Sequence, residues 1–542
     1  MPLRHAVLVV LVALVASLAA AQPVVAAAPV FGSPQVIAGG GELARAVMGP
    51  GGDALVAWSG QSGGLFVSRR AALGGPFSEP VRISAIAAAS SLQLARNDRG
   101  DIAIAWDGRS PEHPYQVAIA APGEPFGAPE DVPVPPRGPD AAKNLVEDSR
   151  SLGSPQLAVG ADGTIAVGYA DRDLWANLSR TVVSVRPPGG SFGPPQVLLA
   201  AEAPSNAVGP STGEPRLAAD GLGRIHAAWV VQPDANPATP PRVVAAEAAP
   251  GEPFGAPRVI SDPALRVTSH VPQLVANRRG DVVATWNGTG TQIALFPTRV
   301  EVVQRSATGG WSAPQLISQP GRESYYPTAA VNDRGDAVVA WFAHMGGTTT
   351  SFRPADGGFG PPTPSVFGGS LPEEIPVALD ALGVSVAVRI DGQVRAAVRR
   401  RDAPSEGESA ISPAAAIASS PAVAMDRFGN GIAVWTTLRS RVGYITTSAY
   451  SALPPAIERL RVGSREFRFK ASEAAHMRIT VRRAQGGRSA SQTTDARLGA
   501  NKLAFVASMR RLLRRGGRYT ATIRTRDAGP RTGTTKVRFR RR

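Results

Sequence analysis

Three residues that could do acid–base chemistry lie close together in the chain: Glu323, Tyr325 and Tyr326. A second group, Asp171-Arg172-Asp173, follows Tyr169. Two carboxylates become a glycosidase pair only at a defined separation in space, so these groups count as parts until the fold places them. The six histidines (His5, His113, His226, His270, His344 and His476) are scattered with no pair at ligand spacing, and no metal site or cofactor is expected. His226 falls on an apolar strand slot and reads as a packed core residue. There is no Gly-rich phosphate loop ending in Lys-Ser/Thr and no Gly-x-Ser-x-Gly elbow. The sequons at Asn177 and Asn287 are discounted as chance matches.

Composition removes further classes. The 542 residues contain no Cys, which excludes disulfide scaffolds, Cys-ligated zinc, iron–sulfur clusters and thiol nucleophiles. Gly and Pro number 58 and 49, well above the roughly 12% of an average domain, yet 43% hydrophobic content is that of a folding chain. The net charge of +16 is unevenly distributed. Residues 455–542 carry 24 Lys+Arg and 5 acids, whereas residues 1–454 carry 34 and 37, so +19 follows −3. The densest cationic cluster is Arg510, Arg511, Arg514, Arg515 and Arg518 with Arg540, Arg541 and Arg542. Such a surface suits anionic envelope polymers through many screened contacts. Nucleic acid is not an expected partner, because no aromatic platform is interleaved with the arginines.

Arg4 and His5 precede an apolar run, Ala6–Ala21, that ends in small residues before Gln22. This is the layout of a secretory signal over 1–21, with an alternative cut after Ala28. The run is shorter than the roughly 20 residues that span a bilayer, and no later segment approaches that length. Export without cysteine points to a bacterial envelope or medium.

Everything from 29 to 450 is organised by a repeat. A turn followed by an alternating strand ending in Trp recurs as Asn97–Trp106, Asn277–Trp286 and Asn332–Trp341. Aligned on the turn glycine, the copies begin at Gly52, Gly100, Gly163, Gly223, Gly280, Gly335, Gly383 and Gly429. Six residues later stand Trp58, Trp106, Tyr169, Trp229, Trp286, Trp341, Arg389 and Trp435. An aromatic-x-x-Pro signature runs through Phe31/Pro34, Phe77/Pro80, Phe126/Pro129, Phe192/Pro195, Phe254/Pro257, Trp311/Pro314 and Phe359/Pro362, and the eighth unit lacks it. Each unit reads as four short alternating strands of about 50 residues, so the expected architecture is an all-β, eight-bladed β-propeller. Seven blades is the alternative, from Arg389 in unit seven and the missing signature in unit eight. The repeated Trp fills space between blades, and the Gly-Asp turns are turn chemistry. Insertions at Asp131–Arg150, Ala201–Glu214 and Gln232–Pro241 mark the expected binding rim.

Ser451–Ala456 reads as a linker. Beyond it, strands alternate Arg with apolar residues, as in Met477–Arg482 and Tyr519–Arg524, and predict a small β-sandwich over 457–542. The pattern Leu512…Gly517-Arg518-Tyr519…Asp527-Ala528-Gly529 resembles bacterial immunoglobulin-like or fibronectin type III-like modules, which implies a fold and no ligand. The repeat region resembles secreted sialidase-like bacterial propellers within the wider WD40/sialidase-like superfold, although the Ser-x-Asp-x-Gly-x-Thr-Trp turn of sialidases is replaced by Asp-x-x-Gly-Asp and four apolar residues before Trp. That resemblance implies, for a catalytic member, three arginines, a Tyr–Glu pair and an acid Asp. Phe-Gly-x-Pro is also similar to integrin-like propeller repeats, without their calcium loops.

The sequence therefore favours a monomeric, exported, non-catalytic protein. Its propeller presents a face to a ligand, an anionic cell-wall polysaccharide or a protein partner, while the basic domain associates with the envelope. The alternative is a secreted glycan-active hydrolase of sialidase-like construction. Intact-mass analysis of chain recovered from the medium should give an N-terminus at Gln22 or Pro29; recovery with Met1 retained counts against a cleaved signal.

Overall fold

The computed structural model describes residues 30–541 apart from 73–74, 86–90, 109–113, 137–149, 174–177, 203–209, 235, 237, 269–270, 291–297, 345–346, 365–374, 382, 400–407, 415–416, 428, 452–456, 464, 472–474, 486, 497–498, 515 and 527–531. The signal segment, most of the linker and parts of the three insertions lie outside the described residues. Among the described residues the chain is all-β with one short helix, Ala507–Leu513, and no helix is long and apolar enough to cross a membrane.

Eight antiparallel sheets of four or five strands precede residue 452 among the described residues. The second is representative: Leu92–Arg96, Ile102–Asp107, Tyr115–Ala120 and Glu130–Asp131 pair in chain order. First strands of successive sheets touch, and that of the eighth, Ile417–Met425, returns to that of the first, Gly41–Met48. The apolar core is distributed in the same way. One cluster joins Leu55 and Val67 of the first sheet to Ile104 and Trp106 of the second. Another joins Trp435 and Tyr450 of the eighth to Val386 and Val398 of the seventh, and Ile432 and Val434 of the eighth also meet Val56 and Trp58 of the first. Alternating side chains give each sheet two apolar faces, and both are covered only by neighbouring sheets.

The eighth sheet is completed from the other end of the region. Val30–Phe31 pairs with Tyr450–Ser451, and Gln35–Gly39 pairs with Tyr444–Thr447. This changes how the aromatic-x-x-Pro signature is assigned. It leads into the outermost strand of the preceding sheet, so Phe31/Pro34 belongs to the eighth sheet, and Phe31 packs on Tyr450 with ring centroids 5.0 Å apart. The sheet without the signature is the seventh, which also carries Arg389. There Arg389 donates to Glu408 of the outer strand at 2.9 Å, an ion pair at the position where six other sheets carry Trp.

All eight turn glycines have φ between 74° and 99°, a region open to glycine at little cost. The turns also bind sheets together. In the Asn97, Asn277 and Asn332 turns, the side-chain oxygen accepts the amide of the residue four on, at 2.9 Å, and Nδ2 donates to the carboxylate there. The same Nδ2 crosses to the next sheet, to the carbonyls of Gly160, Asn332 and Asp380 at 2.8–2.9 Å. In these turns the Asp of the Gly-Asp pair accepts from Asn, and Asp336 also accepts the Ala355 amide at 3.0 Å.

Residues 457–541 form a three-stranded sheet and a four-stranded sheet, Ser489–Ala496, Ala475–Arg483, Gly517–Arg526 and Thr532–Arg541. Phe467 and Phe469 of the first meet Met477, Ile479, Tyr519 and Ile523 of the second, with Met509 and Leu513 of the helix closing the core.

Replacing Asn332 with Ala strands buried backbone groups on two sheets and should cost about 2–3 kcal/mol in urea unfolding. Asn332→Asp keeps the acceptor, loses the inter-sheet donor, and should fall between Ala and the parent; an Ala variant with unchanged midpoint would remove the turn from the account of inter-sheet cohesion.

Candidate functional site

Antiparallel pairing gives the ring two unlike ends. The glycine turns and the connections between third and fourth strands lie at one, which we term the turn end. The second-to-third and sheet-to-sheet connections lie at the other, the connection end. All three long insertions belong to the connection end. At the turn end Arg278 of the fifth sheet reaches Asp98 of the second at 2.6 Å and approaches Asp333 of the sixth at 3.8 Å. Two sheets intervene between the second and the fifth, so this pair crosses the space inside the ring.

At the connection end the first strands are irregular at one repeat position. Leu43, Tyr326 and Ser420 have φ of 53°, 52° and 50°, and each stands nine residues before its turn glycine. The pairing register slips at each of the three. In the third, fourth and fifth sheets the first strand is split in two at the same offset, around Ser154, Glu214 and Val271. In five of the six sheets a proline stands one residue on, Pro155, Pro215, Pro272, Pro327 and Pro421, without the amide a ladder needs; the first sheet makes the same bend with Ala44 there. Proline eight residues before the turn glycine was the sequence signal for this rim.

Tyr326 is the large side chain that this irregularity exposes, at 46% of its surface. Asn287 of the fifth sheet fixes the segment, donating to the Ser324 carbonyl at 2.7 Å and accepting the Tyr326 amide at 3.1 Å. Tyr325 lies beside it, ring centroids 6.2 Å apart, and donates its hydroxyl to Glu323 Oε2 at 2.8 Å. The His344 amide holds the Glu323 carbonyl at 2.8 Å. Partial burial, then the Glu323 carboxylate, push the Tyr325 phenol upward, so it stays protonated. Glu323, Tyr325 and Tyr326 are thus brought together as two aromatic faces and one carboxylate.

The other sequence-selected group is used internally. Asp171 is fully buried and held by Arg150 at 2.8 Å and Arg180 at 2.5 Å. Its sheet is the third and that of Tyr325 the sixth, and no described contact joins them. Tyr169 stacks on Tyr115 at 4.7 Å and donates to the Pro133 carbonyl at 2.8 Å; burial pushes both phenols up. Trp58, Trp106, Trp229, Trp286, Trp341 and Trp435 are at most 2% exposed. His226 is buried as expected, but its partners are charged: Nε2 lies 3.0 Å from Asp220 and Nδ1 3.6 Å from Glu247. Burial pushes Asp220 up, yet bonds from His226 and Arg224 outweigh it and leave the carboxyl at about 2. Beside His226 opens a cavity of about 430 Å³ that includes Arg258, Arg305 and Trp311. Among the described residues no group of three or more acids and histidines could hold a metal ion.

Sequence reasoning missed Glu301. It is 1% exposed, faces Trp286 across the strand pair, accepts the indole N–H at 2.5 Å and accepts the Asp262 amide at 3.2 Å. Burial raises its carboxyl to about 7 against those two bonds. In the C-terminal segment, Arg510, Arg511, Arg514, Arg518 and Arg540 are exposed; Arg515 and Arg542 lie outside the described residues, as does the Arg541 side chain.

No protein-family model matches the chain, and no curated protein matches it. Among solved structures, an ulvan lyase described as a polysaccharide lyase of a new family shares 11% identity over 71% of this chain and 96% of its own, with a TM-score of 0.42. A leech intramolecular trans-sialidase shares 9% over 77% and 92%, with a TM-score of 0.36. A Penicillium chrysogenum α-L-arabinanase shares 12% over 67% and 93%, also at 0.36. The activities named belong to those proteins.

Because the folded carboxyl of Glu301 titrates above its unfolded value of 4.5, the folded state holds the extra proton between pH 4.5 and 7. Its contribution to stability is therefore present below pH 4.5 and falls by about 3 kcal/mol as pH rises to 7. Urea midpoints across that range should decline less steeply in Glu301→Gln than in the parent; equal slopes would contradict the assignment.

Proposed function

We propose that the eight sheets are blades of one closed propeller over residues 29–450, joined through 451–456 to a basic β-sandwich over 457–542, and that the chain is an exported binding protein. The propeller takes a saccharide chain at the connection end, and the basic domain associates with anionic polymers of a bacterial envelope. Tyr326 carries this reading. The irregular strand is a feature of the repeat, but the residue at that slot is an aromatic with nearly half of its surface in water, held by Asn287 and beside a second tyrosine and a carboxylate. An exposed, rigidly held aromatic with polar neighbours is suited to stack on a sugar ring while the carboxylate accepts its hydroxyls. The internal matching of Asp171 and Glu408 by arginines supports binding over catalysis, since those groups pair strands within their own sheets.

A second reading, a glycan-active hydrolase, is favoured by the Tyr325–Glu323 hydrogen bond, a phenol with an adjacent proton acceptor. Glycan-array screening of the mature chain, followed by calorimetry on the best hit, separates the two. Binding should weaken roughly tenfold in Tyr326→Ala and change little in Tyr325→Phe. Turnover of the hit, abolished by Tyr325→Phe, would favour the hydrolase. Binding that is indifferent to Tyr326 would sink the proposed site.

A further inference from the structure

The four-stranded sheet of the C-terminal segment turns Met477, Ile479, Val481, Tyr519, Ala521 and Ile523 toward the core. Strand alternation sends the intervening residues to the opposite face, and the pairing register aligns them in rows. One row reads Ser489, Arg482, Thr520 and Arg538. The next is Ser491, Thr480, Thr522 and Lys536. A third is Thr493, Arg478, Arg524 and Thr534. Beyond the first row Arg518 stands opposite Arg540. These positions hold seven cations and seven hydroxyls, with no acid and no apolar side chain. All seven cations are exposed, and among the described residues none has an ion-pair partner. The next row on this face opens with Asp495 opposite His476, and the two pair at 2.7 Å.

Two features separate this face from a solvated surface in an arginine-rich chain. Composition explains the arginines and leaves the missing acids unexplained, since residues 1–454 balance 34 cations with 37 acids. Register also sets Arg478 against Arg524 and Arg518 against Arg540, and like charges directly opposite destabilise a sheet. A bound polyanion removes both costs. The helix cluster differs: Arg510 donates to the Phe505 carbonyl at 2.8 Å, and Arg510 and Arg511 lie in the last helical turn, where cations complement the dipole.

We infer that the outer face of this sheet is a binding site for a linear polymer bearing phosphate or sulfate esters. The inference rests on the envelope-association reading and assigns its site and ligand chemistry. Guanidinium forks present paired donors to such oxyanions, and the interleaved Ser and Thr hydroxyls donate to the oxygens the forks leave. Cations two residues apart on one strand are about 6.6 Å apart and adjacent strands about 4.8 Å, a grid matched to a chain carrying one charge per monomer.

The test titrates the full chain with long-chain polyphosphate and with dextran sulfate, against polygalacturonate as a carboxylate polymer and duplex DNA. The parent should prefer the first two. The variant R478Q/R482Q/R524Q/R538Q should lose at least 30-fold in affinity, with the slope of log Kd against log salt reduced by about 3. The variant R510Q/R511Q/R514Q should stay within threefold of the parent. Equal loss in the helix variant, equal affinity for polygalacturonate, or tighter binding of DNA would overturn the inference. If the quadruple Gln variant does not fold, R478K/R482K/R524K/R538K keeps the charge and loses the forks; it should bind at least fivefold more weakly, and parental affinity would count against the site. Polyphosphate binding without sedimentation on cell walls would leave the site standing and remove the envelope reading. Sedimentation that survives the sheet substitutions would do the reverse.

Discussion

No sheet in residues 30–451 can bury both of its faces within itself. That constraint decides the rest of the ring. Each junction has to supply a core, and the repeated Trp is the largest contribution to it, of order 150–250 Å² of surface per residue. The Asn turns add a bond from one sheet to the next at the level where the backbones converge. Cohesion is therefore a property of interfaces between repeats, and a repeat with a poor interface has to compensate. Within the seventh sheet Arg389 and Glu408, both nearly fully buried, pair across its own strands, with Arg395 also on the same carboxylate, where the repeat has lost its Trp. Two buried charges hold such a position only when each satisfies the other.

The repeat was legible because the turn glycine and the Trp six residues on are local and period-locked. What was misread had a non-local cause. Phe31/Pro34 resembled the start of a first unit, because nothing in its sequence says that its partner strand is 420 residues away. His226 is the buried residue its apolar neighbours indicated, but its acid partners, which come from a turn and from the adjoining strand, left no local signal. Glu301 gave no signal, since a glutamate in an alternating strand reads as solvent-facing and only the register opposite Trp286 buries it. The short helix at Ala507–Leu513 was missed within a segment whose flanks alternate as strands. The rim was half legible: the insertions gave the end of the ring, and the prolines that break the first strands were present but not read as a repeat.

Charge is segregated by role. In the ring, acids and arginines sit largely in matched sets, Asp171 with two arginines and Glu247 between Arg305 and His226, so its near-neutral sum reflects pairing rather than absence of charge. In the C-terminal segment the cations are sorted onto one face by strand alternation alone, with the apolar half turned to Phe467 and Met509. The same two-residue period that builds a core therefore builds its opposite, a surface whose three central rows hold cations and hydroxyls and no acid.

The pairing of Val30–Phe31 with Tyr450–Ser451 has a consequence for how such a chain comes into being. A polypeptide emerges from the ribosome, or from an export channel, with its amino end first. The strand that completes the last sheet is then among the first to appear, and its partner is among the last of the ring. Until Val442–Ser451 arrives, the outer strand is present without its partner, and the junction of the eighth sheet with the first is incomplete. The closing step thus acts as a check on completeness: a chain cut short before Val442 leaves its leading strands without a seat, open to proteolysis, while one that reaches Ser451 ties them down.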